Sequence, residues 1–284
     1  MQLLTNYPDP PHCPQWVIGP LEFQQTKKME RSIALEAETA IVKYFYELHN
    51  CDTLIDVGCW TGVLALKMHK IINPQRLIIV DAVPMYLRMC RELFKQHNIT
   101  NVYAEELCIV RDPVQYPGYF KINLSDSINT SNVLEQHDQM RDKIVVQMPT
   151  VKAVTPQQGA KILGNMITDK TYFKLDIDSM DYAVLTEMLN AGIKPVAMNF
   201  ECLLDTTARK NEFRRLLRLL NQNGYFIPES DSVIEEFQML DFFTSTRGWA
   251  AMTYVYTPGT GPRWTDIVCS DSVCTSPVFS IRPN

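Results

Sequence analysis

The chain lacks long apolar runs. Those it has, such as residues 77–80, are strand-sized, so no membrane-crossing helix is expected. A basic excess is also missing: 27 lysines and arginines stand against 32 aspartates and glutamates, a formal net charge of −5. A dedicated nucleic-acid binder would carry a positive stripe, so that class is disfavoured. The most basic stretch, residues 209–218, is interleaved with Leu216, Leu217, Leu219 and Leu220 and reads as the solvated face of an amphipathic helix. The first residues show no basic region followed by an apolar one, so a secretory leader is not expected. The eight cysteines have no framework spacing. Cys51, Cys59, Cys90, Cys108 and Cys202 fall in predicted core elements. Cys269 and Cys274 lack two further ligands at zinc spacing. Reduced, buried thiols in a cytoplasmic protein are the expectation. No internal repeat is evident.

What is present suits one large domain with appendages. The 284 residues are 46% hydrophobic and 21% charged, enough for a sizeable core. Residues 1–30 are aperiodic and carry Pro8, Pro10, Pro11, Pro14 and Pro20, which predicts an extended arm packed on the domain or a partner. The domain itself is expected over residues 31–257, with a tail over 258–284. The arm and tail are candidate homodimer contacts.

Apolar residues recur at helical steps over 32–48, then give way to a strand at 53–57. Helix 61–72, strand 76–81, helix 84–97 with proline at its first position, and strand 101–105 follow. The alternation then breaks. Strands at 120–124 and 144–148, joined by a polar stretch, predict an antiparallel insertion over about 118–150. Beyond it come helix 156–166, strand 172–177, helix 182–191, strand 196–202 and a helix over 210–223 stopped by Gly224. Strand-like pieces lie at 232–239 and 251–256. Repeated strand–helix units predict an α/β fold: a doubly wound, Rossmann-like parallel sheet with helices on both faces. Such sheets bind ligands at the carboxyl ends of their strands.

The first of these strands ends in Asp56 and runs into Gly58-Cys59-Trp60-Thr61-Gly62. Glycines let the backbone turn sharply and approach a ligand. Asp81, at the end of the next strand, is placed to accept both hydroxyls of a ribose. A dinucleotide would need a glycine where Trp60 stands, so that its pyrophosphate could sit on the helix N-terminus. S-adenosylmethionine has no phosphate and tolerates a more varied loop. The alternative is a glycine turn that merely closes a strand–helix unit.

At these residues the chain resembles the FkbM-type family of class I methyltransferases. Asp56-Val57-Gly58-Cys59-Trp60-Thr61-Gly62 is similar to the family's opening strand and glycine turn, and Asp81-Ala82-Val83-Pro84 to its acid-then-proline segment. Lys174-Leu175-Asp176-Ile177-Asp178-Ser179-Met180-Asp181, followed by Val184-Leu185, resembles a Lys-x-Asp-Val-Glu-Gly-x-Glu segment. Asp178 and Asp181 stand in place of glutamates and Ser179 in place of glycine. Asn199-Phe200-Glu201 is the matching strand end. The resemblance covers about residues 36–228. It implies a seven-stranded methyltransferase fold with the last strand antiparallel. It also implies S-adenosylmethionine as cofactor and O-methylation of a sugar, glycan or natural-product small molecule. Asp56, Gly58, Cys59, Trp60, Gly62, Asp81 and Ala82 are then the candidate cofactor-binding residues. The departures also resemble sugar O-methyltransferases that use magnesium on clustered aspartates.

Methyl transfer is an in-line displacement, so positioning supplies much of the catalysis. A hydroxyl acceptor also needs a base, or a metal that lowers its pKa. Asp176 and Asp178, two apart on a strand, and Glu201 on the neighbouring strand end are the candidates for base or magnesium ligands. Asp176 is expected to be buried, where an unpartnered carboxylate would be costly. Asp178 and Asp181 could instead cap a helix. His137 lies in the polar insertion and is a candidate base or an ordinary loop histidine. The polar run 125–132 could bind a polyhydroxylated acceptor. Two other readings stay open: a protein or nucleic-acid acceptor, and a binding protein of this fold without catalysis.

Overall fold

The computed structural model describes residues 1–8, 33–114, 119–123, 132–133, 145–149, 151–177, 180–201, 207–226, 254–257, 261–264 and 278–281. In chain order the elements are β1 (Gln2–Leu3), α1 (Ile33–Leu48), β2 (Thr53–Val57), α2 (Val63–Ile72), β3 (Arg76–Asp81), α3 (Pro84–Gln96), β4 (Val102–Glu106) and β5 (Cys108–Ile109). Then come β6 (Tyr119–Asn123), β7 (Asn132–Val133), β8 (Val145–Pro149), β9 (Ala153–Val154), α4 (Pro156–Gly164), β10 (Thr171–Leu175), α5 (Asp181–Asn190) and β11 (Ala197–Phe200). The last are α6 (Thr207–Gln222), β12 (Tyr225–Phe226), β13 (Tyr254–Thr257), β14 (Gly261–Trp264) and β15 (Val278–Ile281).

Strands β2, β3, β10 and β11 are almost wholly buried, so they read as continuous apolar runs. The main sheet has the order β1-β4-β3-β2-β10-β11-β15-β12. Strands β4, β3, β2, β10 and β11 are parallel. β15 runs antiparallel to both β11 and β12. Without β1 these are seven strands with one reversed, the mixed α/β sheet expected. From β2 the chain winds outward to β3 and β4, then returns to the other side of β2 for β10 and β11. The strand order therefore reverses between β2 and β10, the place at whose carboxyl ends open α/β sheets bind their ligands. Helices α1, α2 and α3 pack together, while α4, α5 and α6 form a second group. Right-handed crossovers run in opposite directions from β2, so the two groups cover opposite faces.

The sheet draws on both segments set aside as arm and tail. β1, from residues 1–30, pairs antiparallel with β4. β15, from residues 258–284, is the reversed strand between β11 and β12. Strands this short carry almost no periodicity, and their pairing is set by distant partners. The insertion is antiparallel as expected: β6 pairs with β8 and with β7. Helix α6 buries Phe213, Leu216, Leu217 and Leu220 and leaves Arg215 and Arg218 exposed, as its pattern predicts. Cys51, Cys59, Cys90 and Cys108 are free and buried. Cys13, Cys202, Cys269 and Cys274 lie outside the described residues. Among the described residues no helix is long and apolar enough to cross a membrane.

The turn from β2 into α2 holds three left-handed residues: Gly58 (φ 82°), Trp60 (φ 47°) and Gly62 (φ 78°). A Cβ at Gly58 would lie 1.7 Å from the backbone oxygen of Asp176, just past β10. Gly58 is thus demanded both by its φ and by the close passage of the neighbouring chain. Gly58→Ala is expected to destabilise the fold by about 3 kcal/mol or more, through a strained φ and a backbone clash together. Urea titration of both proteins checks this.

Candidate functional site

A polar row crosses the buried sheet at the switch point. Asp56 on β2 stands beside Lys174 on β10, and Lys174 beside Asn199 on β11. All three side chains are buried, Asp56 to 1% exposure and Lys174 to 4%. The Lys174 ammonium lies 3.5 Å from Asp56 Oδ1 and 3.2 Å from Asp176 Oδ2. From α1, Glu38 reaches the same place, and Asn199 Nδ2 donates to its Oε1 at 3.5 Å.

The charges explain one another. Burial alone would push the Lys174 ammonium down, but the carboxylates of Asp176, Asp56 and Glu38 outweigh it and hold its pKa well above the usual lysine range. Burial raises Asp56, against the pull of Lys174, and Asp176 raises it further. Glu38 is pushed up to about 7, chiefly by burial, with Lys174 lowering it and Asp176 and Asp56 raising it.

The second half of the site is built on the glycine turn. Asp81, ending β3, accepts from the backbone N–H of Trp60 through Oδ2 and of Val83 through Oδ1, both at 2.9 Å. Burial lifts its pKa to about 7; the Val83 and Trp60 N–H groups oppose the rise and Asp56 adds to it. The Trp60 indole packs edge-on against Tyr86, ring centres 6.5 Å apart. Trp60 Nε1 and Thr61 Oγ1 are buried without a hydrogen-bond partner. A bulky residue at positive φ and two orphaned polar atoms in one turn mark a loop under constraint. The Cys59 side chain points inward, 3.9 Å from Cys90 Sγ and from Asp81 Oδ2, and burial holds its thiol well above the usual range. The Cys59 backbone N–H donates to Val80 O at 3.2 Å. A Cβ on Gly62 would lie 2.6 Å from Cys90 Sγ. The Ala82 carbonyl accepts from Val151 N–H at 3.1 Å, tying the end of the insertion to this edge.

The turn thus carries Asp56, Gly58, Cys59, Trp60 and Gly62, with Asp81 and Ala82 alongside. Asp176 and Glu201 follow register partners Leu175 and Phe200, so they sit at adjoining strand ends. Asp176 departs from expectation. It lies just past β10 and is 50% exposed, with Lys174 as partner. The buried strand carboxylate is Asp56 instead, because β10 ends one residue before Asp176 while Asp56 is inside β2. Capping differs too: α5 starts after Met180, which offers no side-chain bond, and Asp181 is buried in its first turn. Asp178, His137 and the run 125–132 lie outside the described residues.

Magnesium gains no support at this edge. Among the described residues no three histidine, cysteine or acidic side chains gather as metal ligands. The Lys174 ammonium, not an open coordination position, faces Asp176. A nucleoside cofactor fits better. Asp81 ends β3 with its carboxylate bonded to the glycine turn, and the loop beside it keeps the buried Trp60 Nε1 and Thr61 Oγ1 without partners.

No family model and no curated protein matches the chain. Solved structures do. A precorrin-6y C5,15-methyltransferase from Geobacter metallireducens GS-15 is 12% identical with a TM-score of 0.35, over 66% of this chain and 70% of that one. A SAM-dependent O-methyltransferase from Thermotoga maritima is 11% identical with a TM-score of 0.39, over 87% of this chain and 65% of that one. An SAH-bound methyltransferase from Podospora anserina is 10% identical with a TM-score of 0.39, over 95% and 89%. Likeness at this level carries no argument about activity.

Sequence reasoning missed two members of the site. Lys174 is a lone charge in an apolar strand, opposite the lone charge of Asp56. Glu38 falls on the helical stripe of Ile41, Val42 and Phe45, all buried. Each was visible as a charge on a core face.

Lys174→Met should destabilise the protein by about 3–5 kcal/mol at pH 8, since it leaves Asp56 buried and uncompensated. The loss should shrink as pH falls, because burial favours the neutral form of Asp56, and Asp56→Asn should recover part of it; denaturant titrations at pH 8 and pH 5 read all three. Glu38 and Asp81 both have pKa values raised to about 7, so the folded state holds protons that the unfolded chain releases. Their contribution is complete below about pH 4 and is lost as pH rises to about 7. Thermal melts should therefore fall across that window, and Glu38→Gln with Asp81→Asn should reduce the slope, with Asp56, also raised by burial, accounting for the remainder.

Proposed function

We propose that this chain is an S-adenosylmethionine-dependent methyltransferase of the FkbM type that methylates a hydroxyl on a sugar, glycan or natural-product small molecule. The observation that carries the reading is the Trp60 N–H bond to Asp81 at 2.9 Å. It joins the glycine turn, which follows β2 beside the point where strand order reverses, to the acid that ends β3. The cofactor brings a methyl group already activated on a sulfonium. The protein's part is then to grip, align and take up a proton.

Asp81 accepts the ribose hydroxyls, using lone pairs that the Trp60 and Val83 N–H groups leave over. Gly58 brings the backbone close, and Lys174 holds Asp176 at the rim. Asp176, half-exposed just past the end of β10, serves as the proton acceptor, with Glu201 at the adjoining strand end. The family-level part rests on the resemblance of the segments 56–62 and 174–181. The acceptor class rests on that resemblance too.

Calorimetry with S-adenosylhomocysteine tests the cofactor. Binding is expected, tighter at pH 8 than at pH 6 because ribose hydroxyls bond the ionised Asp81. Asp81→Ala should weaken it about 10- to 100-fold. No binding by the unaltered protein would remove the reading. Labelled S-adenosylmethionine with a panel of sugars and small hydroxyl compounds tests the acceptor. Asp176→Ala should abolish transfer while leaving cofactor affinity largely intact.

A further inference from the structure

Few large apolar side chains are exposed among the described residues, and three of them gather at one corner. Tyr44 and Leu48 on α1 are 39% and 38% exposed, and Ile71 on α2 is 47% exposed. α1 leads into β2 and α2 leaves it, so both helices run antiparallel to that strand and end at the same edge of the sheet. The two helices pack together. Leu48, the last residue of α1, and Ile71, in the last turn of α2, therefore lie at neighbouring helix ends. Apolar residues exposed singly are ordinary, but a group of them in one place marks a contact surface.

The pattern of α1 divides into two faces. Ile41, Val42 and Phe45 are buried in the core, while Lys43, Tyr44, Glu47 and Leu48 form the outer face. Phe45 meets the Tyr44 ring edge-on, centres 5.0 Å apart, which braces the ring in place. β13 also packs on α1 and still leaves Tyr44 and Leu48 open.

The charges beside this apolar pair say what fits it. Lys43 and Glu47 stand one turn apart, ammonium and carboxylate 3.6 Å from each other. Each precedes its apolar neighbour by one residue, so both flank Tyr44 and Leu48 on the same side of the helix. A row of one positive and one negative charge is self-complementary. When a second α1 lies antiparallel across the first, a twofold axis normal to the helices keeps like sides together. Lys43 then meets Glu47 of the second copy, Glu47 meets its Lys43, and each Tyr44 packs on the other Leu48. A uniformly acidic or basic partner would match only one of the two charges.

We infer that the outer face of α1, with Ile71 of α2 at its margin, is a homodimer surface on which a second copy of this chain docks antiparallel. The inference stands apart from the cofactor reading and does not rest on it. α1 is also the helix that carries Glu38 to Asn199 and Lys174, so the second copy braces that helix from outside.

Sedimentation velocity on the full chain is the test. The unaltered protein should pass from monomer to dimer between about 1 and about 100 µM. Leu48→Asp should hold it monomeric over that range, since it sets a carboxylate against Tyr44 of the other copy. Ile71→Glu, on the other helix, should weaken the dimer too and reports even where Leu48→Asp disturbs α1. Lys43→Glu and Glu47→Lys should each weaken the dimer about tenfold, because like charges then face each other twice. Mixing those two variants should restore it, and so should both substitutions in one chain. A monomer at every concentration overturns the inference. A dimer that these substitutions leave unchanged does so as well, as does one that each charge reversal weakens and mixing fails to restore. Assembly beyond a dimer also overturns it, since that requires a head-to-tail contact.

Discussion

One ammonium group holds the middle of this sheet together. Lys174 is buried between Asp56, on the strand that leads into the glycine turn, and Asp176, just past the end of the strand beyond the switch point. Burying a charge is costly unless opposite charges surround it, and here three carboxylates and one lysine share the cost. The arrangement fixes the relation of β2 to β10. That relation in turn decides where the Gly58 turn passes under the backbone of Asp176. A misplaced lysine would leave the two halves of the site without a common reference.

The strain of the site sits on the other side of β2. Trp60 at φ 47° is an uncommon conformation for so large a residue. It is held there because its N–H reaches Asp81 and its ring meets Tyr86. The same bond draws the acid toward the turn, so on the function proposed here a ribose would meet a carboxylate that is already oriented. Preorganisation of this kind lowers what binding must spend on ordering. Buried polar atoms without partners in the turn and a raised pKa at Asp81 mark the same constrained loop.

Much of this was legible in the residues. The alternation of apolar strands with amphipathic helices located β2, β3, β10 and β11, because both faces of those strands are buried. Gly58 and Gly62 marked the turn, and Asp81 its partner. The antiparallel insertion showed as a break in the alternation. Other features were not legible. Strands of two to four residues, such as β1 and β15, have no period of their own, so their places in the sheet came from pairing partners far off in the chain. Asp176 looked like a buried strand acid because a one-residue difference in strand end decides whether it faces core or solvent.

The sequence by itself determined the kind of sheet, the turn at its switch point and the acids at its strand ends, since these follow from local periodicity and residue type. Only the tertiary structure decided which charges meet. Lys174 finds Asp56 because parallel strands put them in register, and Glu38 joins them because α1 packs its apolar stripe on that face. The Asp56–Gly62 turn was recognisable at once. Its neighbours across the sheet, which give it shape and charge, are non-local, and no reading of periodicity along the chain could place them.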